Sequence, residues 1–420
     1  MRKIARAIIA RKKPIIIAIT GNVGKTTTKE AVYSVLRSKF SVRATGGNLN
    51  NELGAPLTII GDFAESYYRT TSQSWFWFRV VWMGLGALVR DDNYPDVLVL
   101  EYGADRPGDI ERLVSAYPPH IAVVTHVGEI PVHVEYFASV RHLANEKAKL
   151  ISRLLPTGVA VLSYDDPVVL EMRSHTQGRV VTFGSGEGSD VRLANLRPRL
   201  DGVRPMGTSF DITTHQHSMP VMISGVLGVG IAKAGAAAVA VALAMDMTLA
   251  EATEALSQMT APAGRMRILD GIRGTTIIDD TYNASPVAMQ SAIDTVRAIP
   301  ASRHVFILGD MRELGVHSAH AHQTIGRLVA DYAGVLVCVG TQGALIADAA
   351  AASMPHEHIH RASDSREAAN LVQQLLRTGD LVLVKGSQGV RMEFIVQEVM
   401  ARPEQSSRLL VRQSASWLQK

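Results

Sequence analysis

The residues best suited to chemistry come early. Thr20-Gly21-Asn22-Val23-Gly24-Lys25-Thr26-Thr27-Thr28 follows directly on the apolar run Ile15 to Ile19, and a helical pattern runs on from Lys29 to Leu36. A strand, a glycine turn with Lys-Thr and a helix start form a wrap for the phosphates of a nucleotide. The backbone N–H groups and the helix N-terminus face the anion, Lys25 adds a point charge, and the Thr26 hydroxyl can hold Mg2+. The spacing is shorter than the general G-x-x-x-x-G-K-[ST] rule, because Ile19 stands where the first glycine should be. Placement between strand and helix therefore carries the reading, and Gly21 to Thr27 are the expected ATP-binding residues.

Further polar residues fall at the ends of apolar runs. Glu101 closes the run from Asp96, where a carboxylate suits a Mg2+ ligand beside a phosphate loop. His126 and His133 follow the next run, and either is a candidate for a place near the metal. Lys147 and Lys149 lie on the helical stretch Val140 to Leu155, where a solvated face is the ordinary expectation. Asp279 and Asp280, followed by Tyr282-Asn283, end one later run, and Lys385-Gly386-Ser387 ends another. Polar residues from two domains converging on one cleft suit an ATP-dependent reaction between two substrates.

The elements that must position these groups alternate. Asp96 to Glu101, His120 to Val127, Gly158 to Asp166 and Arg179 to Gly184 read as strands separated by helices, the pattern of a doubly wound parallel sheet. Asp190 to Gly225 reads as a small antiparallel patch, and helices follow over Ala232 to Met245 and on to about Met259. After Thr260 to Gly264 a second alternating series begins, with strands at Thr275 to Asp280, His304 to Asp310, Gly334 to Gly340 and Leu381 to Gly386. The expected division is residues 1–262, with a basic segment at 1–13 and an aromatic insertion at 66–94, followed by a dinucleotide-fold-like domain at 263–420.

The 420 residues suffice for two or three domains. The net charge of +4 is too weak and scattered to argue for a nucleic-acid partner. A single cysteine, Cys338, rules out disulfides and a multi-cysteine metal site. No run has the length of a transmembrane helix, the first residues do not read as a signal peptide, and the cytoplasm is the expected compartment.

Taken together, the motifs resemble the Mur ligase family. The matching stretches run in order: TGNVGKTTTKE (Thr20 to Glu30), NLNNELGAPLT (Asn48 to Thr58), LEYGADRPGDI (Leu100 to Ile110), VHVEYFAS (Val132 to Ser139), NEKAKLI (Asn145 to Ile151), PAGRM (Pro262 to Met266), DDTYNASP (Asp279 to Pro286), LGDMRELG (Leu308 to Gly315) and VKGSQGVRME (Val384 to Glu393). The resemblance implies an α/β fold, a P-loop central domain of mostly parallel sheet followed by a Rossmann-like C-terminal domain. It implies a ligase of peptidoglycan precursor synthesis that uses ATP to activate the carboxylate of a UDP-linked muramoyl tripeptide as an acyl phosphate and joins D-alanyl-D-alanine to it. A Mur-type ligase for another acid and amino acid, or a non-catalytic cell-wall scaffold with this fold, are the alternatives.

By the same resemblance, Lys25 and Thr26 hold phosphates and one of two Mg2+ ions, Glu101 and His133 match Mg2+ ligands, and Lys147 matches the lysine carbamylated to bind a second Mg2+. Asp280 and Asn283 match nucleotide-contacting positions, Asn48 and Asn51 lie near the peptide substrate, and Lys385 and Ser387 face the dipeptide or acyl phosphate. Three features depart from the pattern. The family carries an N-terminal uridine-gripping domain of roughly a hundred residues, whereas Met1 to Pro14 alone precede the first strand, so that grip is expected to be missing or supplied elsewhere. Lys233 stands where an Asn near the adenine is usual. The insertion contains Trp75, Phe76, Trp77, Phe78 and Trp82, a stretch too short to span a bilayer. As a helix it exposes aromatic surface unless something covers it. The stretch Trp75 to Leu88 is open to three readings: packing on the protein's own missing-domain face, where it would partly replace the absent domain, a partner or dimer contact, or peripheral membrane association.

Overall fold

The computed structural model describes residues 1–47, 49–69, 73–89, 94–128, 137 and 139–418. Its strands form two sheets. The first has nine strands: β1 (Ile15–Thr20), β2 (Val42–Ala44), β3 (Val97–Glu101), β4 (Ile121–Val124), β5 (Val159–Ser163), β6 (Arg179–Gly184), β7 (Val191–Asp201), β8 (Arg204–Thr213) and β9 (Ser218–Ser224), in the spatial order β2-β3-β1-β4-β5-β6-β7-β8-β9. Pairing is parallel from β2 to β7, and β7, β8 and β9 continue it antiparallel. Because β1 sits between β3 and β4, the order reverses beside it. A crevice opens beyond the carboxyl ends of strands at such a switch point, and the Gly21–Thr27 turn lies there.

β1 shows why this sequence makes a central parallel strand. Ile16 and Ala18 enter one core while Ile17 and Ile19 enter the other, so both faces are buried and the run is apolar without alternation. On the Ile17 side lie α2 (Lys25–Leu36) and the alanine-rich helix Val229–Ala244, whose small side chains let the two helices pack closely. On the Ile16 side lie α1 (Arg2–Lys12), α3 (Gly54–Ile60), the short α4 (Ala64–Arg69), α5 (Gln73–Val89), α6 (Asp109–Ala116) and α7 (Val140–Ser152). Residues 1–13, expected as a basic segment, thus form a packed helix that buries Ala5 and Ile8.

The second sheet holds β10 (Arg267–Asp270), β11 (Thr276–Asp280), β12 (Arg303–Gly309), β13 (Val335–Val339), β14 (Ile359–Ala362) and β15 (Asp380–Lys385), in the order β10-β11-β15-β12-β13-β14. Only β10 is antiparallel. Val305 and Ile307 face one core, Phe306 and Leu308 the other. The two sheets meet where Val226 bridges Arg267 and the Leu227 N–H donates to the Met266 carbonyl at 3.0 Å. Among the described residues no helix is long and apolar enough to cross a membrane.

Candidate nucleotide and ligase site

The phosphate turn is shaped by two glycines and stapled to its neighbours. Gly21 has φ +147° and Gly24 φ +90°, conformations that side-chain-bearing residues rarely adopt. A Cβ at Gly21 would stand 2.0 Å from the Thr125 hydroxyl oxygen. The Thr125 hydroxyl donates to the Val23 carbonyl at 2.7 Å, the Asn22 N–H donates to the His126 carbonyl at 2.5 Å, and the Asn22 amide reaches the Val127 carbonyl. α2 begins at Lys25, so its free N–H groups and positive dipole end point into the turn.

Two lysines converge here. Lys25 Nζ donates to the Gly21 carbonyl at 2.8 Å, and Lys147 Nζ, from α7, donates to the same oxygen at 3.1 Å. α7 is set by Ser139, whose side chain accepts from the His142 N–H, and its register turns Lys147 inward while the partly exposed Lys149 pairs with the buried Glu146 at 2.7 Å. Burial holds Lys147 well below the ordinary lysine pKa, and the neighbouring charge of Lys25 pushes it further down. Desolvation also lowers Lys25, against the opposing pull of Glu101. The charges of Arg265 and Glu313, from the second half of the chain, also act on Lys25, so both halves face this turn electrostatically.

Across the turn, the Thr26 hydroxyl donates to Glu101 Oε2 at 3.1 Å. Glu101 is buried at the end of β3, with Asn50 Nδ2 at 3.5 Å from its other oxygen. Two hard oxygen donors at this separation fit one divalent cation. His126 turns its ring to Asp166, Nδ1 to Oδ2 at 2.8 Å. Burial would raise the Asp166 carboxyl, but the bonds from His126 and the Gly128 and Val127 N–H groups hold it far below the usual carboxylate range.

The remaining predicted residues lie in separate groups. Lys385 pairs with Asp280 at 2.6 Å, in register across β15 and β11, and donates to the Asn283 carbonyl at 2.9 Å. Ser387 accepts from the Arg312 N–H at 2.9 Å. Asn51 caps α3, accepting from the Leu53 and Gly54 N–H groups at 3.1 and 3.0 Å. Lys233 pairs with Asp165 at 2.8 Å. Asn48 and His133 lie outside the described residues. A cavity of about 510 Å3 between β7, β8 and the helix Pro286–Arg297 is lined by none of the predicted residues.

Sequence reasoning missed Asn50, Thr125, Asp166 and Arg265. Arg265 lies over the Tyr282 ring, its guanidinium carbon 3.8 Å from the centroid, and its Nε is buried without a hydrogen-bond partner among the described residues. Only PAGRM could have pointed to it. The other three act through contacts distant in sequence.

Comparison with known proteins agrees with this geometry. The Mur ligase middle domain matches residues 19–65 and 85–242, and the Mur ligase glutamate ligase domain matches 264–388. The chain is 31% identical over 428 residues to UDP-N-acetylmuramoyl-tripeptide–D-alanyl-D-alanine ligase of Mycobacterium tuberculosis (strain CDC 1551 / Oshkosh), covering 96% of this chain and 76% of that protein. The Bacillus subtilis (strain 168) ligase of the same name is 27% identical over 405 residues, covering 96% and 79%. Among solved structures, MurF ligase from Thermotoga maritima in complex with ADP superposes with a TM-score of 0.77 at 27% identity, covering 94% of this chain and 82% of that one. MurF from Acinetobacter baumannii gives 0.75 at 26% identity, covering 94% and 78%. With a phosphate turn facing a second α/β sheet and both domain matches in order, the chain belongs to the Mur ligase family.

Proposed function

We propose that this chain is an ATP-dependent ligase of peptidoglycan precursor synthesis that joins D-alanyl-D-alanine to a UDP-N-acetylmuramoyl tripeptide. The observation that carries the reading is the meeting of Lys25 and Lys147 on the Gly21 carbonyl opposite the Thr26–Glu101 pair. The names of the relatives support the substrates. In this reading residues 1–262 bind ATP, residues 263–420 close over it, and the work is done in the cytoplasm.

A carboxylate is a poor electrophile. One of its oxygens attacks the γ-phosphorus, ADP leaves, and an acyl phosphate forms. The dipeptide amine, having lost its extra proton, then attacks the acyl carbon. The tetrahedral intermediate collapses with loss of inorganic phosphate and of a second proton from nitrogen, leaving the amide. The Gly21–Thr27 backbone and Lys25 hold the phosphates in line, so positioning and charge neutralisation supply most of the acceleration. Thr26 and Glu101 would hold Mg2+, which neutralises phosphate charge when bound. His133 is assigned to the same task from the sequence. Lys147, whose buried amine gives up its proton more readily than an ordinary lysine, is suited to carbamylation, which would turn it into an oxygen donor for a second ion. Asp280 and Asn283 are assigned to nucleotide contact, Asn48 and Asn51 to the peptide, and Lys385 and Ser387 to the dipeptide or acyl phosphate.

The test is phosphate release from ATP and Mg2+ by the purified chain, with the uridine tripeptide and with other acids. Release that requires both the uridine tripeptide and D-alanyl-D-alanine is expected. Release with only a non-uridine acid would transfer the reading to a Mur-type ligase of different substrate. No release with any acid would leave a scaffold.

A further inference from the structure

α5 carries two apolar stripes. Phe76, Val80 and Gly84 face inward, with a Cβ at Gly84 only 2.6 Å from the Ile4 side chain of α1. Trp75, Phe78, Trp82, Leu85 and Val89 recur at the helical interval on the opposite side and stand in solvent, Trp75 67% and Trp82 68% exposed. Phe78 stacks on both tryptophans, with centroids 5.5 and 6.4 Å apart, so the rings form one continuous ridge. A helix apolar on both sides normally has a second partner. At 17 residues, roughly 25 Å, it is shorter than a bilayer span.

The neighbouring helix indicates which partner. α1 lies against α5 and exposes Arg2, Lys3 and Arg6, while α5 adds exposed Arg79 and no other charge. A tryptophan ridge beside a basic helix joins the two signals needed for firm interfacial binding. The rings enter the headgroup layer and the cations meet anionic lipid. A second copy of the chain would bring the same basic helix against itself or leave it unmatched.

We infer that α5 and α1 form a docking surface for an anionic lipid bilayer, with α5 lying along the membrane surface. The test uses the full chain and vesicles of phosphatidylcholine with or without phosphatidylglycerol, read by co-sedimentation and tryptophan emission. Binding to the anionic vesicles alone, weakened by salt, with a blue shift in emission, is expected. It should fall at least about tenfold both in the triple variant Trp75→Ser, Phe78→Ser, Trp82→Ser and in the variant Arg2→Glu, Lys3→Glu, Arg6→Glu. The second variant leaves the apolar surface intact and serves if the first does not fold. Absence of vesicle binding, equal binding to neutral vesicles, undiminished binding by folded variants, or a wild-type dimer that the serine variant dissociates would overturn the inference.

Discussion

Lys25 and Lys147 aim their side-chain nitrogens at one acceptor, the Gly21 carbonyl, from 2.8 and 3.1 Å. Two ammonium groups on a single oxygen repel each other, and the more deeply buried one yields its proton first. That is Lys147. An uncharged amine can attack CO2 and an ammonium cannot. Lys147→Ala should therefore abolish turnover, with partial restoration by short carboxylic acids that occupy the vacated space. Near-normal turnover in the steady-state assay would rule out a carbamate at this position. For stability the direction is fixed by linkage: the folded chain releases this proton at lower pH than the unfolded chain, so Lys147 contributes more as pH rises toward 10.5. Lys147→Met should therefore gain more stability at pH 7 than at pH 10 in denaturant titrations.

Glu101 and Thr26 offer their oxygens to the same small volume. Replacing Glu101 by Gln keeps the shape and removes the charge. Calorimetry should show ATP affinity falling about tenfold or more when Mg2+ is present, with little change when it is chelated. An equal loss under both conditions would place Glu101 in the loop's structure instead.

The Lys385–Asp280 pair joins β15 to β11 with both partners buried. Lys385→Met leaves the Asp280 carboxylate without its partner and should cost about 3 to 5 kcal/mol. Adding Asp280→Asn should recover much of that. Chemical unfolding of the four-member cycle checks it, and additive losses would show that the pair is not coupled.

Asp279 is fully buried, and its carboxyl is pushed up to about 6 by burial against the opposing bonds from Thr281 and the Gly264 N–H. A raised folded pKa means that its stabilising contribution is complete below 3.8 and is lost as pH rises through 6. The stability difference between the wild type and Asp279→Asn should shift by up to about 3 kcal/mol between pH 4 and 7. A difference that does not vary with pH would contradict the raised pKa.

Much of the fold was legible because parallel strands buried on both faces are written as unbroken apolar runs. Arg179–Gly184 matches its expected bounds, and the other eight runs shift by one to three residues at one or both ends. Val42–Ala44, Arg267–Asp270 and Ile359–Ala362 gave no such run, being three or four residues long at sheet edges. The turn was legible from Gly21, Gly24, Lys25 and Thr26. Its supports were not, since nothing near Thr125 or Asp166 announces a contact 102 residues away in the one case and 39 in the other. NLNNE shows another limit. Asn50 approaches Glu101 while Asn51 caps α3, because side-chain direction in an irregular turn follows no period.

The Val23–His126 bridge fastens the phosphate turn to the end of β4, and Asp166 in turn anchors His126 and the Val127 N–H. The cradle therefore has its shape before any anion arrives, and little chain disorder remains to be lost when nucleotide binds. In the proposed reading, grip on a triphosphate would therefore rest partly on Asp166: loosening the segment beyond β5 would weaken capture while the rest of the molecule stays folded.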